Sequence, residues 1–189
     1  MDIIQKVKNI VFVKFRILKY KWLSNCKNIN GRPKLYHPLL IEGNGSIKFG
    51  KNVQIGVKSS PNFYSHYSYF EAKHSESKII IGDNVSINNN FSAVSFSKIA
   101  IEDDVLIGVN CSIIDTDGHQ LEIDKRADGI PKVAEIVISK NVFIGDNVSI
   151  LKGVTIGKNS VIGFGSIVTK SIPDNVIAAG NPAKIIRPI

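Results

Sequence analysis

Residues 138–171 read ISKNVF-IGDNVS-ILKGVT-IGKNSV-IGFGSI-VTKS when broken into sixes. An aliphatic residue opens every block, at Ile138, Ile144, Ile150, Ile156, Ile162 and Val168. Gly145, Gly157 and Gly163 follow three of them, and Val142, Val148, Val154, Ser160 and Ser166 take the fifth place. A period of six fits neither the 3.6-residue repeat of a helix nor the alternation of a half-buried strand. It specifies an all-β solenoid in which each rung repeats the one below. The first and fifth positions face inward, and the Gly and Asn between them suit corners because they tolerate positive φ. Three sixes close a triangular coil of about 18 residues, so roughly five coils are expected. The period does not fix the hand of the coil.

Upstream the pattern is interrupted. Ile41 and Ile47 share one phase, and the segment from Phe49 to Gly56 restarts it two residues later. Residues 57–78 break the period with Pro61 and five aromatics, and read as an irregular excursion. The repeat resumes at Ile81, Ile87, Ala93 and Ile99, shifts by two, and continues through Ile101, Ile107 and Ile113. It breaks again over 115–135, where Gly118, Gly129, Pro131 and many charges mark a loop extruded from the wall. Loops on a rigid repeat scaffold are where function usually resides.

The organisation is a basic amphipathic segment, 1–34, followed by the solenoid, 35–189. Nine bases and no acid lie between Ile3 and Ile41, whereas the remainder is nearly neutral. Ile3, Ile4, Val7, Ile10, Val11 and Phe15 make a helical stripe, and the alternation from Val13 to Ile17 would also permit a short strand; a helix over residues 1–24 is the favoured reading. Two readings stay open there: a cap on the end of the solenoid, or an interfacial helix making peripheral contact with an anionic membrane, with Tyr20 and Trp22 at headgroup depth. Basic residues interrupt the stretch too often for a transmembrane span, and no signal peptide is expected. Cys26 and Cys111 form no CxxC, which fits a reducing compartment. Cys111 occupies a repeat position and reads as core. His37, His66 and His74 lack ligand spacing, so no metal is expected. With the positive charge outside the solenoid, no nucleic-acid partner is expected either.

Taken with VTKSIPDNVIAAGNPAKIIR at 168–187, the hexads resemble the hexapeptide-repeat acyltransferases of the left-handed β-helix class. The likeness covers about residues 41–187 and is greatest to the galactoside and maltose acetyltransferases and the capsular or O-antigen acetyltransferases. It implies a left-handed parallel β-helix, a homotrimer, acetyl-CoA as co-substrate, and an active site between adjacent subunits. In DTDGH, His119 stands where the family keeps its catalytic histidine. A sugar hydroxyl has too high a pKa to attack a thioester unaided, and a neutral imidazole suits its deprotonation. Asp115 and Asp117 stand where they would orient that imidazole, although an Asp beside Gly118 also suits a tight turn. Asn88, the first asparagine of Ile87-Asn88-Asn89-Asn90, matches the residue lining the acceptor site, with Asn89 and Asn90 as corner residues. For the cofactor, the resemblance assigns Thr169, Lys170 and Phe164 to the CoA groove, and Lys184 and Arg187 to the phosphates, where charge-assisted bonds suit them. The resemblance also assigns Asp146 to cofactor binding, through main-chain contact with the pantetheine arm, although it stands where the family often has Gly or Ser; Phe143 stands where relatives often have Trp.

The implied function is transfer of an acetyl group to a sugar hydroxyl in capsule, O-antigen or lipopolysaccharide biosynthesis, in the cytoplasm and peripheral to the inner membrane surface. Two alternatives are N-acetylation of a nucleotide-linked amino sugar and a solenoid scaffold without catalysis.

Overall fold

Each hexad forms a short strand and a corner, and successive strands take turns on three faces of a prism. A computed structural model describes residues 3–127 and 129–189; residues 1 and 2 of the basic segment and 128 of the loop lie outside the described residues. The first face stacks Asn28–Asn30, Ser46–Phe49, Lys78–Ile81, Lys98–Ile101, Ile136–Ile138 and Thr155–Ile156. The second stacks Lys34–Leu35, Gln54–Ile55, Ser86–Ile87, Leu106–Ile107, Phe143–Ile144, Val161–Ile162 and Val176–Gly180, closed by the antiparallel strand Ala183–Pro188. The third stacks Leu39–Glu42, Ser68–Ala72, Ser92–Ser95, Ser112–Ile114, Ser149–Leu151 and Ile167–Val168. Every other pairing within these faces is parallel.

The prism has six coils rather than five. The additional coil is residues 28–42, which begins inside the segment assigned to the basic N-terminus. Ile29 pairs with Ile47 and Leu35 with Ile55. A terminal rung packs on one side only, so Ile29 remains 39% exposed. The aliphatic rhythm that makes the inner rungs readable is therefore not demanded there.

Inside, the first hexad positions form continuous columns, such as Ile55, Ile87, Ile107, Ile144 and Ile162 on the second face, all buried. On the third face Phe70 stacks on Ala93, a large residue against a small one, followed by Ile113, Ile150 and Val168. Burying each such large aliphatic stabilises the fold by about 1.5–3 kcal/mol. Corner asparagines adopt positive φ, among them Asn141, Asn159 and Asn175 at 57–60°. Their amides bond from coil to coil: Asn141 Nδ2 donates to Asn159 Oδ1 at 3.0 Å, and Asn159 Nδ2 to Asn175 Oδ1 at 2.7 Å. Gly157 serves the corner differently. It has no positive φ, but a Cβ there would run into the Asp174 backbone amide of the next turn.

The N-terminal segment is helical over residues 3–23, with a π-helical turn at Ile10–Lys14. Its C-terminal end covers part of the solenoid edge. Ser24 Oγ accepts from Ile41 N at 2.9 Å, and Asn25 N donates to Ile41 O at 3.0 Å. Farther up, Arg16 bonds the backbone carbonyls of Phe63 (3.2 Å) and His66, and Tyr20 stacks on Tyr67 with centroids 4.5 Å apart. The helix thus leans on the excursion, which is itself pinned from inside. Buried His37 shares its Nε2 between the carbonyls of Asn62 (3.2 Å) and Ser65 (3.0 Å). Burial holds the His37 pKa below the ordinary histidine value.

Candidate active site

The extruded loop leaves the third face after Ile114 and re-enters the first at Ile136. Its base is tied down at several points. Thr116 and Val133 form an antiparallel bridge, Asp117 N donates to Lys132 O at 3.1 Å, and Ala134 N donates to Asp115 O at 3.0 Å. His119 is exposed, and its Nδ1 lies 3.1 Å from the backbone carbonyl of Arg126. A carbonyl only accepts, so Nδ1 carries the proton of that bond and Nε2 keeps its lone pair. That is the tautomer a general base requires.

The two aspartates before it differ. Asp115 is fully buried, accepting from Phe96 N (2.7 Å), Ser97 N (2.9 Å) and Ser95 Oγ (2.8 Å). The expectation that Asp115 orients His119 is corrected: its carboxylate holds the corner of the coil beneath, where the repeat shifts by two residues. Asp115→Ala should strand two backbone donors and a hydroxyl, costing about 2 kcal/mol. Urea denaturation measures that loss, while turnover of the folded fraction should stay within about threefold, since removing a cap alters stability rather than chemistry. Asp117 behaves otherwise. Its Oδ1 pairs with Lys152 Nζ at 2.8 Å, and its Oδ2 is buried without a partner among the described residues. Lys152, which no motif in the sequence marks, anchors the loop from one coil above.

Asn88 lies at the corner between the second and third faces. With Val57, Leu106, Gly108, Phe143 and Asp146 it lines a cleft of about 240 Å³. Asn89, by contrast, is fully buried and clamps the excursion: its Oδ1 accepts from Val57 N at 3.0 Å, and its Nδ2 donates to Val57 O (3.0 Å) and Pro61 O (2.8 Å). Asp146 turns Oδ1 onto Val109 N at 2.8 Å, and its backbone carbonyl accepts from Gly165 N at 2.9 Å. The carboxylate at this unusual position is therefore used within the wall. Phe164 stands at the same corner one coil higher, 70% exposed. Cys111 is buried, and burial chiefly pushes its thiol up to about 11, which suits core rather than nucleophile.

Thr169 and Lys170 follow the third-face strand Ile167–Val168, on the same corner as the His119 loop, and both are exposed. Lys184 and Arg187 are exposed on the terminal strand, where they pair in register with Ala179 and Ile177. Apart from Asp115, Lys184 and Arg187, the assigned residues within one chain fall into two columns. Asn88, Asp146 and Phe164 occupy one corner; Asp117, His119, Thr169 and Lys170 occupy the next. The third face separates them by a strand of roughly 10 Å. No cluster of three or more His, Cys, Asp or Glu suited to a metal occurs among the described residues.

A parallel β-helix of hexads with a histidine loop and exposed basic groups at its C-terminal end defines a class, the solenoid acyltransferases. Family models support this: residues 135–170 match the bacterial transferase hexapeptide (six repeats), and residues 98–121 the hexapeptide repeat of succinyl-transferase. The galactoside O-acetyltransferase of Escherichia coli is 38% identical over 170 residues, 86% of this chain and 79% of that protein. A hexapeptide-repeat acetyltransferase of Vibrio cholerae, solved with acetyl coenzyme A, is 37% identical with a TM-score of 0.56, over 58% of this chain and 60% of that one. The polySia-specific acetyltransferase NeuO is 30% identical with a TM-score of 0.61, over 86% and 83%. The chain belongs to the hexapeptide-repeat acyltransferase family, and its β-helix is left-handed. It spans about three fifths of the length of several curated relatives it matches.

Proposed function

We propose that this protein transfers the acetyl group of acetyl-CoA to a sugar hydroxyl, working as a homotrimer whose active site is shared between neighbours. The observation that carries the reading is the separation of the two columns. A site containing both His119 and Asn88 needs the loop corner of one subunit set against the cleft corner of another. Both corners are apolar where they would meet. Leu121, Ile123 and Ile130 on the loop are 63%, 87% and 85% exposed, and Val57, Leu106 and Phe143 around the cleft are 43%, 50% and 48% exposed. Exposed apolar groups gathered in this way favour an interface.

In this arrangement His119 Nε2 takes the hydroxyl proton as the oxygen bonds to the thioester carbonyl carbon. The C–S bond then breaks and the same proton passes to the departing CoA thiolate. The Arg126 carbonyl holds the ring and supports the imidazolium while it carries both protons. Acetyl-CoA supplies the activated acyl group. Lys184 and Arg187 are suited to its phosphates, Thr169, Lys170 and Phe164 to its pantetheine arm, and Asp117 Oδ2 offers a buried acceptor beside the loop.

The acceptor we infer is a sugar of a surface polysaccharide, capsule or O-antigen, modified in the cytoplasm at the inner membrane surface. The polySia specificity of NeuO, 30% identical to this chain, supports that choice. No helix among the described residues is long and apolar enough to cross a membrane. The test is CoA-thiol release with purified protein, acetyl-CoA and a panel of hydroxyl and amino sugars, free, nucleotide-linked and lipid-linked. Hydroxyl acceptors should turn over fastest. Turnover confined to amino sugars would replace this reading with N-acetylation.

A further inference from the structure

The N-terminal helix has one face docked and one face bare. Asn9, Val13, Arg16, Ile17 and Tyr20, at helical spacing, are buried or half-buried. Opposite them Ile4, Val7, Val11, Phe15, Leu18 and Trp22 recur at intervals of three and four and are between 50% and 83% exposed. Such spacing makes an apolar stripe, which Ile3, Ile10 and Phe12, 75%, 54% and 51% exposed, widen at its edges. Lys6, Lys8, Lys14, Lys19 and Lys21 are also exposed, none of them is in an ion pair among the described residues, and residues 3–41 contain no acid. Water solvates the lysines well but the stripe poorly.

We infer that this helix lies in the surface of an anionic lipid bilayer, with the stripe at the acyl-chain boundary and the lysines among the phosphates. A surface that is apolar along one line and basic around it is matched by a phospholipid bilayer, which is layered in the same order. A second copy of the chain fits less well. Beyond residue 27 the chain is nearly neutral, so it offers no excess of acid to meet five lysines. The docked face fixes how the stripe is presented. Arg16 and Tyr20 hold the helix on the excursion, so the stripe points away from the solenoid. The inference rests on the homotrimer reading in one respect: three helices on one body bind a surface with the avidity of linked sites.

Trp22 is the only tryptophan in the chain, so its emission reports the stripe directly. Full-length protein is mixed with phosphatidylcholine vesicles, with or without about 30% phosphatidylglycerol. The expected result is a blue shift and co-flotation with the anionic vesicles. Binding should be at least ~10-fold weaker to neutral vesicles and should weaken further as salt screens the lysines. Phe15→Asp with Leu18→Asp changes only exposed positions and should abolish flotation; Lys14→Gln with Lys21→Gln should reduce it. Failure of the wild type to float with anionic vesicles, or equal flotation of the stripe variant, overturns the inference. So does a Trp22 that is already shielded without lipid and becomes exposed in the stripe variant together with a fall in subunit number, which would assign the face to a second copy. CoA-thiol release with a soluble acceptor, run on the same samples, separates the two readings: loss of turnover with retained flotation removes the acetyl transfer and leaves the membrane face standing.

Discussion

His119→Ala is expected to lower acetyl transfer to a hydroxyl acceptor by at least ~10², the lower end of what a positioned general base contributes. The expectation comes from a specific lone pair. The Arg126 carbonyl accepts a hydrogen bond from Nδ1–H, so Nε2 is the atom left to accept a proton. Alanine removes it while leaving the loop base intact, because the ties there run through Thr116–Val133 and Asp117–Lys152. The Michaelis constant for acetyl-CoA should therefore stay within a few-fold as turnover falls, the signature of an interaction made chiefly in the transition state. An amine acceptor attacks with its own lone pair and should lose much less. CoA-thiol release with paired hydroxyl and amino sugars measures both quantities. Wild-type turnover in the purified variant would remove His119 from the chemistry.

The scaffold was readable because inward positions in a stacked coil leave little choice. From Ile138 to Val168 every sixth residue is aliphatic and nearly solvent-free. The two-residue shift between Ile99 and Ile101 was visible too, and the structure gives its cause. The corner at Ser95–Ser97 carries extra chain, and the Asp115 carboxylate bonds it. That bonding is also why the aspartates of DTDGH could not be sorted from sequence. Asp115 and Asp117 are two residues apart in an irregular turn, and only the corner beneath determines which one turns inward. Lys152 escaped for another reason: it is far from Asp117 along the chain but adjacent across the stack. The register that joins them, Ile113 opposite Ile150 and Ile114 opposite Leu151, puts residue 152 directly after the strand above the loop's exit. Aligning the hexads across the 115–135 break would have brought it there. The first coil was hidden because an end rung has no neighbour below to enforce its pattern.

Mixing inactive subunits should restore activity, and by an amount that geometry sets. Asn88→Ala and His119→Ala proteins are each expected to be impaired, the first in the cleft corner and the second in the loop corner. If a site took both residues from one chain, no mixture of the two could contain an intact site. In the shared-site homotrimer, a site is intact when the subunit giving the loop carries wild-type His119 and its neighbour carries wild-type Asn88. Random reassembly of equal amounts in a closed ring makes about one interface in four intact, so turnover should rise to about a quarter of wild type. The gain is large because it is read against two nearly silent parents. Co-refolding from denaturant, with each parent refolded alone as reference, supplies the measurement. A mixture no more active than the mean of its parents would return His119 and Asn88 to separate roles. It would also deprive the two columns, Asn88 with Asp146 and Phe164 on one corner and His119 with Thr169 and Lys170 on the next, of their reason to meet. Recovery near a quarter ties the division of the site to the triangular cross-section itself, because a three-sided coil can bring two of its corners into one site only by borrowing a neighbour's.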